Sequence, residues 1–386
     1  MRYRKFRPER LFTGYEVLTG YTLVTTENGT IEEVVPNGPD HEDAEVLPGL
    51  LSPGFVNCHC HLELSHMKGR IPEGTGLVDF VFRVITERHD EKEVMLDAIN
   101  KAEQEMISGG IVAVGDICNN PITLLPKIRK NLYYHNFIEA SGFVPAVVPE
   151  RFKRSVDLFN VYCELYKDPQ ASNSIVPHAP YSVAKELFKR ISKFPGNRLL
   201  TMHNQETEAE NDLYRDKTGD FLQLYEKMKI GDSFFIPPGT TSLQACLNYF
   251  FPQQTLILVH NVATSEDDMQ YIKNNATPVL YFCLCPNANL YITGQLPPVD
   301  LLIQYNSRIV LGTDSLASNR QLSILSEIKT LKKNFPHLTY EQVLPWATIN
   351  GASALGIEHT FGSFEKGKKP GTVLIDNAFE SVKRVL

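Results

Sequence analysis

Residues 54–61, Gly-Phe-Val-Asn-Cys-His-Cys-His, form a short apolar run that ends in two histidines. Alternate residues of a strand share a face, so His59 and His61 point the same way, roughly 6.6 Å apart along the chain. Two imidazoles so placed can converge on one ion at about 2.0–2.1 Å each. Cys58 and Cys60 have the opposite parity and point away from it. Alone, His-x-His is a weak motif, because strand histidines also serve in cores and cross-strand pairs. Its weight comes from the rest of the chain. Further apolar runs stand at 111–119 (IVAVGDICN), 132–142, 174–183, 198–206, 255–262 (TLILVHNV), 278–287 and 308–315 (RIVLGTDS). Helix-like segments fall among them at 91–108, 151–167, 184–193, 265–274 and 322–333. Eight strand candidates, most followed by a helix candidate, predict an α/β fold, a (β/α)8 TIM barrel, because parallel strands need crossover helices.

The two ends have a different texture. Residues 15–35 alternate as strands do, with a hairpin signal at Asn28-Gly29. Residues 44–50 end in a Pro-Gly pair that reads as a turn. Residues 367–377 (GKKPGTVLIDN) return to strand character and suit pairing with the N-terminal strands. The expected division is a small flanking β-sandwich domain from 1–50 and 365–386, around a barrel of 51–364.

Bulk properties exclude several classes. The chain of 386 residues carries a formal charge of -7, from 45 acidic and 38 basic residues. A mildly acidic chain argues against nucleic acid as partner, since phosphate binding needs a basic surface. No apolar run has the length to span a bilayer, so no membrane is expected. The basic start, MRYRKFRPERLF, lacks the apolar core of a signal peptide and leads into a strand. The seven cysteines are odd in number and form no C-x-x-C pair, so reduced buried thiols and a cytoplasmic location are expected.

Chemistry in such barrels gathers at the C-terminal ends of the strands. His59 and His61, His178, His203, His260 and Asp314 all fall at those places. His203 offers a third imidazole and Asp314, in Leu-Gly-Thr-Asp-Ser, an oxygen ligand; Gly312 permits close backbone approach. Gly-Thr-Asp on its own also suits a turn or a helix cap. Glu206, three residues past His203, stands where a carboxylate can act as base toward a bound water, or as a carboxylate near a helix N-terminus. His260 ends an apolar run; it is a satisfied buried histidine or a hydrogen-bonding partner of water or substrate. His178, between prolines in Pro-His-Ala-Pro, is assigned to substrate contact. Glu63 and His66 fit loop packing better than a ligand role.

Taken together, these segments resemble the amidohydrolase superfamily, in the branch of cytosine, guanine and S-adenosylhomocysteine deaminases and triazine chlorohydrolases. The resemblance lies in PGFVNCHCHLELS (53–65), HAPYS (178–182), HNQETE (203–208), LVHNV (258–262), CPNANLYITGQLPPVDLL (285–302), LGTDSLASN (311–319), ATINGASALGI (347–357) and GSFEKGKKPGTVLID (362–376). It implies one divalent metal ion held by His59, His61, His203 and Asp314, with Glu206 as proton shuttle and His260 beside the attacked carbon. Binuclear members use a lysine at the end of the fourth strand; none occurs there, which favours one ion. Zinc is expected, with iron the alternative that three imidazoles and a carboxylate leave open. The loop after the first strand (61–88) is similar to that of bacterial aminofutalosine deaminases. That likeness implies a pocket for a purine or ribose walled by Phe80 and Phe82, with Arg83 or Arg88 nearby; the same phenylalanines also suit the buried face of a short amphipathic helix. The implied reaction is hydrolytic deamination of a small aromatic heterocycle, a purine nucleoside foremost. Hydrolysis of a cyclic amide or a carbon–halogen bond is the alternative within the class, and a catalytically silent scaffold the alternative outside it. A homodimer is compatible with all of these.

Overall fold

The computed structural model describes residues 2–166 and 172–386. Eight strands form the barrel: β1 Phe55–Cys60, β2 Ile111–Cys118, β3 Tyr133–Ala140, β4 Ser172–Pro177, β5 Leu199–Asn204, β6 Thr255–His260, β7 Val279–Leu284 and β8 Ile309–Leu311. They pair in parallel as two groups of four, β1 to β4 and β5 to β8. Two seams join the groups. At one, the amide of His203 donates to the carbonyl of His178 at 2.9 Å. At the other, Cys60 bridges to Asp314, and the amides of Thr313 and Asp314 both donate to the carbonyl of His59, at 3.0 and 3.1 Å. Both seams therefore run through the histidines and the aspartate singled out above.

The barrel strands are apolar on both faces because helices cover the outside and side chains fill the inside. Every residue of β1 and β2 is buried. The expected helices form at Lys92–Ser108, Val148–Leu165, Lys185–Ser192, Glu266–Asn274 and Ile324–Asn334; residue 167, at the end of one predicted segment, lies outside the described residues. Ser265 and Asp268 close a reciprocal cap at the start of Glu266–Asn274, satisfying amides that a first turn leaves bare. Among the described residues, no helix is long and apolar enough to cross a membrane.

The terminal strands make one sheet. Its order is Val382–Arg384, Thr372–Ile375, Glu45–Pro53, Tyr3–Phe12, Tyr21–Thr26, Ile31–Pro36, with Val17–Leu18 added on Tyr3–Phe12. Phe6, Leu11, Leu23, Ile31, Leu51 and Phe364 give it a core of its own. The Asn28-Gly29 hairpin forms, with Gly29 at φ +86°. The Pro48-Gly49 turn does not: both residues lie inside the strand Glu45–Pro53. There the register to Tyr3–Phe12 shifts between Pro8 and Arg10, and Gly49 takes φ +122°. The local signal is that of a bulge, where proline's missing amide and glycine's free φ are both tolerated.

Candidate metal centre

Four side chains converge at the C-terminal mouth of the barrel. His61 Nε2 lies 3.2 Å from His59 Nε2 and 3.2 Å from His203 Nε2. Asp314 Oδ1 lies 3.5 Å from both His59 Nε2 and His61 Nε2. Four donors about 2.0–2.2 Å from one tetrahedral ion stand about 3.3–3.6 Å apart, so the spacing fits a shared cation. The proton inventory agrees. His203 Nδ1 lies 2.8 Å from the His178 carbonyl, an acceptor only, so Nδ1 carries the hydrogen and Nε2 the lone pair. Burial, then neighbouring imidazoles, push the pKa of His59 well down; burial leads likewise for His61 and His203. For Asp314 burial opposes ionisation, but His61, His260, Ser318 and His203 outweigh it and hold its carboxyl below the usual range. Neutral imidazole and ionised carboxylate are the ligating forms.

The surrounding chain explains the precision. β1 carries His59 as the strand's own register dictates, and His61 follows one residue past its end. His59 Nδ1 is buried without a hydrogen-bond partner, so packing holds that ring. Gly312 supplies the packing gap: a Cβ there would sit 2.9 Å from His59 Cβ and 2.8 Å from Cys283 Sγ. Asn57 on β1 clasps Thr313, donating to its hydroxyl at 2.8 Å and accepting from its amide at 3.1 Å. Asn319 Nδ2 donates to the Thr313 carbonyl at 2.9 Å. Ser318 Oγ donates to Asp314 Oδ2, which leaves Oδ1 to face the histidines.

Glu206 and His260 stand together beside this set. Glu206 Oε1 lies 3.6 Å from His260 Nε2, and the His260 ring centroid is 5.9 Å from that of His59 and 5.6 Å from that of His203. The helix after β5 runs Glu208–Asp216 with Thr207 as its N-cap, so Glu206 precedes the helix rather than belonging to its first turn. Gln205 anchors the bend: its amide donates to Glu210 Oε1 at 2.8 Å, and its side chain donates to Asp268 at 2.9 Å. Burial pushes the Glu206 carboxyl well up, and the charges of Asp314 and Glu210 add to it. Asn289 Nδ2 lies 3.0 Å from His260 Nδ1. With the amide donating, the ring proton of His260 sits on Nε2, aimed into the site.

The remaining predicted residues spread around the mouth. The ring of His178 is 4.8 Å from that of His203 and its Nδ1 is 2.6 Å from Ser182 Oγ. Arg88 ends the helix Leu77–Glu87, and its charge acts on Glu63, Glu139 and His178. Phe80 lies on the inner face of that helix and joins the main apolar core; Phe82 packs partly buried against it. Glu63 is a packing residue, accepting from the Asn119 amide at 3.0 Å and Asn120 Nδ2 at 2.8 Å, and His66 Nε2 meets the Arg88 carbonyl at 2.9 Å. Two residues at the mouth escaped the sequence reading. Asn289 sits within the quoted CPNAN segment, and its place there is the one signal available. Glu139 is the next-to-last residue of β3, the position that His59 and His203 hold on β1 and β5.

Fold and donors together define a barrel with a metal centre at its mouth. The chain belongs to the amidohydrolase family, which residues 50–385 match. It is similar to the 5-methylthioadenosine/S-adenosylhomocysteine deaminase of Teredinibacter turnerae, 25% identical over 367 residues that cover 90% of this chain and 77% of that one. The crystal structure of Helicobacter pylori aminofutalosine deaminase in complex with methylthio-coformycin shares the fold, with a TM-score of 0.85 at 21% identity over 99% of this chain and 100% of that one. An adenosine deaminase from Xanthomonas campestris with bound zinc gives 0.74 at 22% identity, over 96% of this chain and 84% of the other.

Proposed function

We propose that this protein removes the exocyclic amino group of an aminopurine nucleoside by hydrolysis. The observation that carries the reading is the pairing of Glu206 with His260, 3.6 Å apart, beside three imidazoles and a carboxylate spaced for one ion. A divalent ion held by His59, His61, His203 and Asp314 supplies, when bound, Lewis acidity and a water made acidic enough to react near neutral pH. We assign zinc, which suits the donor set and is bound in the Xanthomonas campestris relative. Glu206 takes the proton of the attacking water and delivers it to the ring nitrogen next to the attacked carbon. His260 donates from Nε2 to the incoming oxygen, and Asp314 orients the attack. The proton left on the added hydroxyl then passes through Glu206 to the amino group, the carbon–nitrogen bond breaks as the carbonyl forms, and the group leaves as ammonia. His178 contacts the substrate, with Arg88 and Phe80 on the wall toward the strand-1 loop. The purine nucleoside is favoured because relatives matched along most of the chain are named as deaminases of such compounds, adenosine among them. Seven free thiols, six of them buried, fit a cytoplasmic enzyme.

The test is an ammonia-release panel on metal-loaded protein, with adenosine, 5'-methylthioadenosine, S-adenosylhomocysteine, aminofutalosine, cytosine and guanine. Release from one or more of the nucleosides, well above that from the two free bases, is expected. Full metal loading with no release from any nucleoside overturns the assignment.

A further inference from the structure

Two segments at the barrel mouth share one buried carboxylate. The helix after β7, Pro286–Ile292, carries Asn289, whose Nδ2 meets His260 Nδ1 at 3.0 Å. The loop after β8 carries Thr313 and Asp314, and Asn319 Nδ2 donates to the Thr313 carbonyl at 2.9 Å. Glu327, fully buried in the first turn of the helix Ile324–Asn334, reaches both. Its Oε2 accepts from the Asn287 amide at 2.9 Å, a first-turn amide with no partner inside its own helix. Its Oε1 accepts from Asn287 Nδ2 at 3.0 Å and from Asn319 Nδ2 at 2.9 Å.

All three partners are donors, and their roles are fixed. A backbone amide only donates. Asn319 Nδ2 also serves the Thr313 carbonyl, while its Oδ1 accepts from the Gln321 amide at 3.3 Å. Asn287 Oδ1 accepts from Thr330 Oγ1, so its Nδ2 is the atom left for Glu327. The set therefore needs an acceptor at each oxygen, which a carboxylate supplies and a side-chain amide does not. Burial pushes this carboxyl up to about 8, against the pull of the three N–H donors. An apolar side chain of similar volume would pack there without that burden. What the carboxylate adds is connection: Asn289 lies two residues beyond Asn287 on one helix, and Asp314 directly follows Thr313.

We propose that Glu327 is a positioning residue: by tying the helix that carries Asn289 to the loop that carries Asp314, it fixes the His260 imidazole and the fourth metal ligand relative to one another. None of its hydrogen bonds goes to His260 or to a ligand of the ion, so it acts through Asn287 and Asn319. The identity of the reaction rests on the deaminase reading; the two ties do not. Methionine in its place keeps much of the volume and opens both ties. Glutamine turns its nitrogen toward one donor or the other and opens one of them. Loss of an outer partner of this kind costs about 10–100-fold in metal affinity or activity.

The experiment measures zinc affinity by chelator competition, kcat and KM for ammonia release from adenosine at saturating zinc, and the unfolding midpoint. Glu327→Met is expected to lower zinc affinity and kcat by about 10–100-fold each, with KM within about threefold of wild type. Glu327→Gln should recover one of the two losses. Asn319→Ala, which cuts the loop tie, should weaken zinc more than kcat; Asn287→Ala, which cuts the side-chain tie to the helix, should do the reverse. A Glu327→Met protein that is less stable yet keeps zinc affinity and kcat within about twofold of wild type overturns the proposal, because Glu327 then serves packing alone. If the methionine variant does not fold, the two alanine variants decide, and wild-type zinc affinity and kcat in both overturn it. If wild type releases no ammonia, the deaminase reading fails, and the zinc affinities of Glu327→Met and Asn319→Ala still decide the positioning role.

Discussion

Replacing Gly312 by alanine should force apart the strands that hold Asp314 against His59. The added Cβ would lie 2.8 Å from Cys283 Sγ, 2.9 Å from His59 Cβ and 3.0 Å from Cys285 Sγ. Comfortable contacts between such atoms are about 3.5–4.0 Å, so the overlap is about 0.5–1 Å on three sides. All three neighbours are fully buried, and no exposed flexible end is available to yield. Overpacking of this kind costs about 1–3 kcal/mol. Relief comes most readily by backing β8 away from β1, and Asp314 lies two residues further on, tied to the same His59 carbonyl. A zinc site tolerates displacements of only about 0.2 Å in ligand distance. Metal affinity is therefore expected to fall about 10–100-fold, equivalent to about 1.4–2.7 kcal/mol. Zinc competition against a chromogenic chelator reads the affinity, and thermal unfolding with and without metal reads the strain. Gly231→Ala, where an added Cβ meets nothing within 4 Å, is the control. If Gly312→Ala binds zinc within about twofold of wild type and unfolds at the same midpoint, close approach at Gly312 does not shape the site and the reasoning fails.

Glu206→Gln should keep its metal and lose about 10²–10⁴ in kcat; near-normal ammonia release from folded, loaded protein would remove Glu206 from proton transfer. Burial pushes the Glu210 carboxyl up to about 7 from an ordinary 4.5, and its Oε2 has no partner. Between those values the folded state holds the extra proton, so stability is full below the unfolded pKa and is lost as pH rises through 7. The loss amounts to about 3 kcal/mol. Urea unfolding from pH 4.5 to 8 should show a shallower decline in Glu210→Gln, and equal slopes would refute the assignment. Lys127 is fully buried, paired with Asp116 and donating to Asn136 Oδ1 at 2.8 Å and Cys118 Sγ at 3.2 Å. Lys127→Met strands the Asp116 charge and should cost about 3–5 kcal/mol; adding Asp116→Asn should restore part of it, and a single variant as stable as wild type would show the pair to be dispensable.

The centre was legible because strand geometry is periodic. Parity alone puts His59 and His61 on one face, and the strand-end rule gathers His203 and Asp314 to the same mouth from far along the chain. Tertiary pairing decided what the sequence could not. Pro48-Gly49 carries every local mark of a turn, yet Tyr3–Phe12 pairs with the chain on both sides of it and Thr372–Ile375 from Leu50 onward, so the pair becomes a bulge inside a strand. The helices Phe221–Lys227 and Ser242–Leu247 went unread because each is two turns or so of mixed polarity, too short for a period to show. Glu139 looked like any glutamate near a strand end; only the fold brings it to Asn119, twenty residues earlier in the chain.

Backbone strain supplies the argument against a silent scaffold. Gln205, His260, Asn261 and Asp314 all take left-handed φ values, +46°, +76°, +60° and +55°. None is glycine, and each such residue costs of order 1–3 kcal/mol unless its surroundings over-determine it. The surroundings do so here: the Asn261 amide donates to the Asn204 carbonyl at 2.9 Å, its side chain to the Leu258 carbonyl at 2.8 Å, and the Asp314 amide to His59. The gain is positional. A left-handed residue ends a strand abruptly and sends the chain outward to its helix while its own side chain stays at the mouth. That is how β6 and β8 can stop and still present an imidazole and a carboxylate to the same point. Glycine would adopt these angles without strain, and a barrel serving only as a platform would have no reason to bear the strain of larger side chains there. Lys130, Lys217, Lys229, Asn306 and Phe379 take similar angles elsewhere, but at the mouth the strain falls on His260 and Asp314 themselves and on Gln205 and Asn261 beside them, where the proposed chemistry needs fixed side chains.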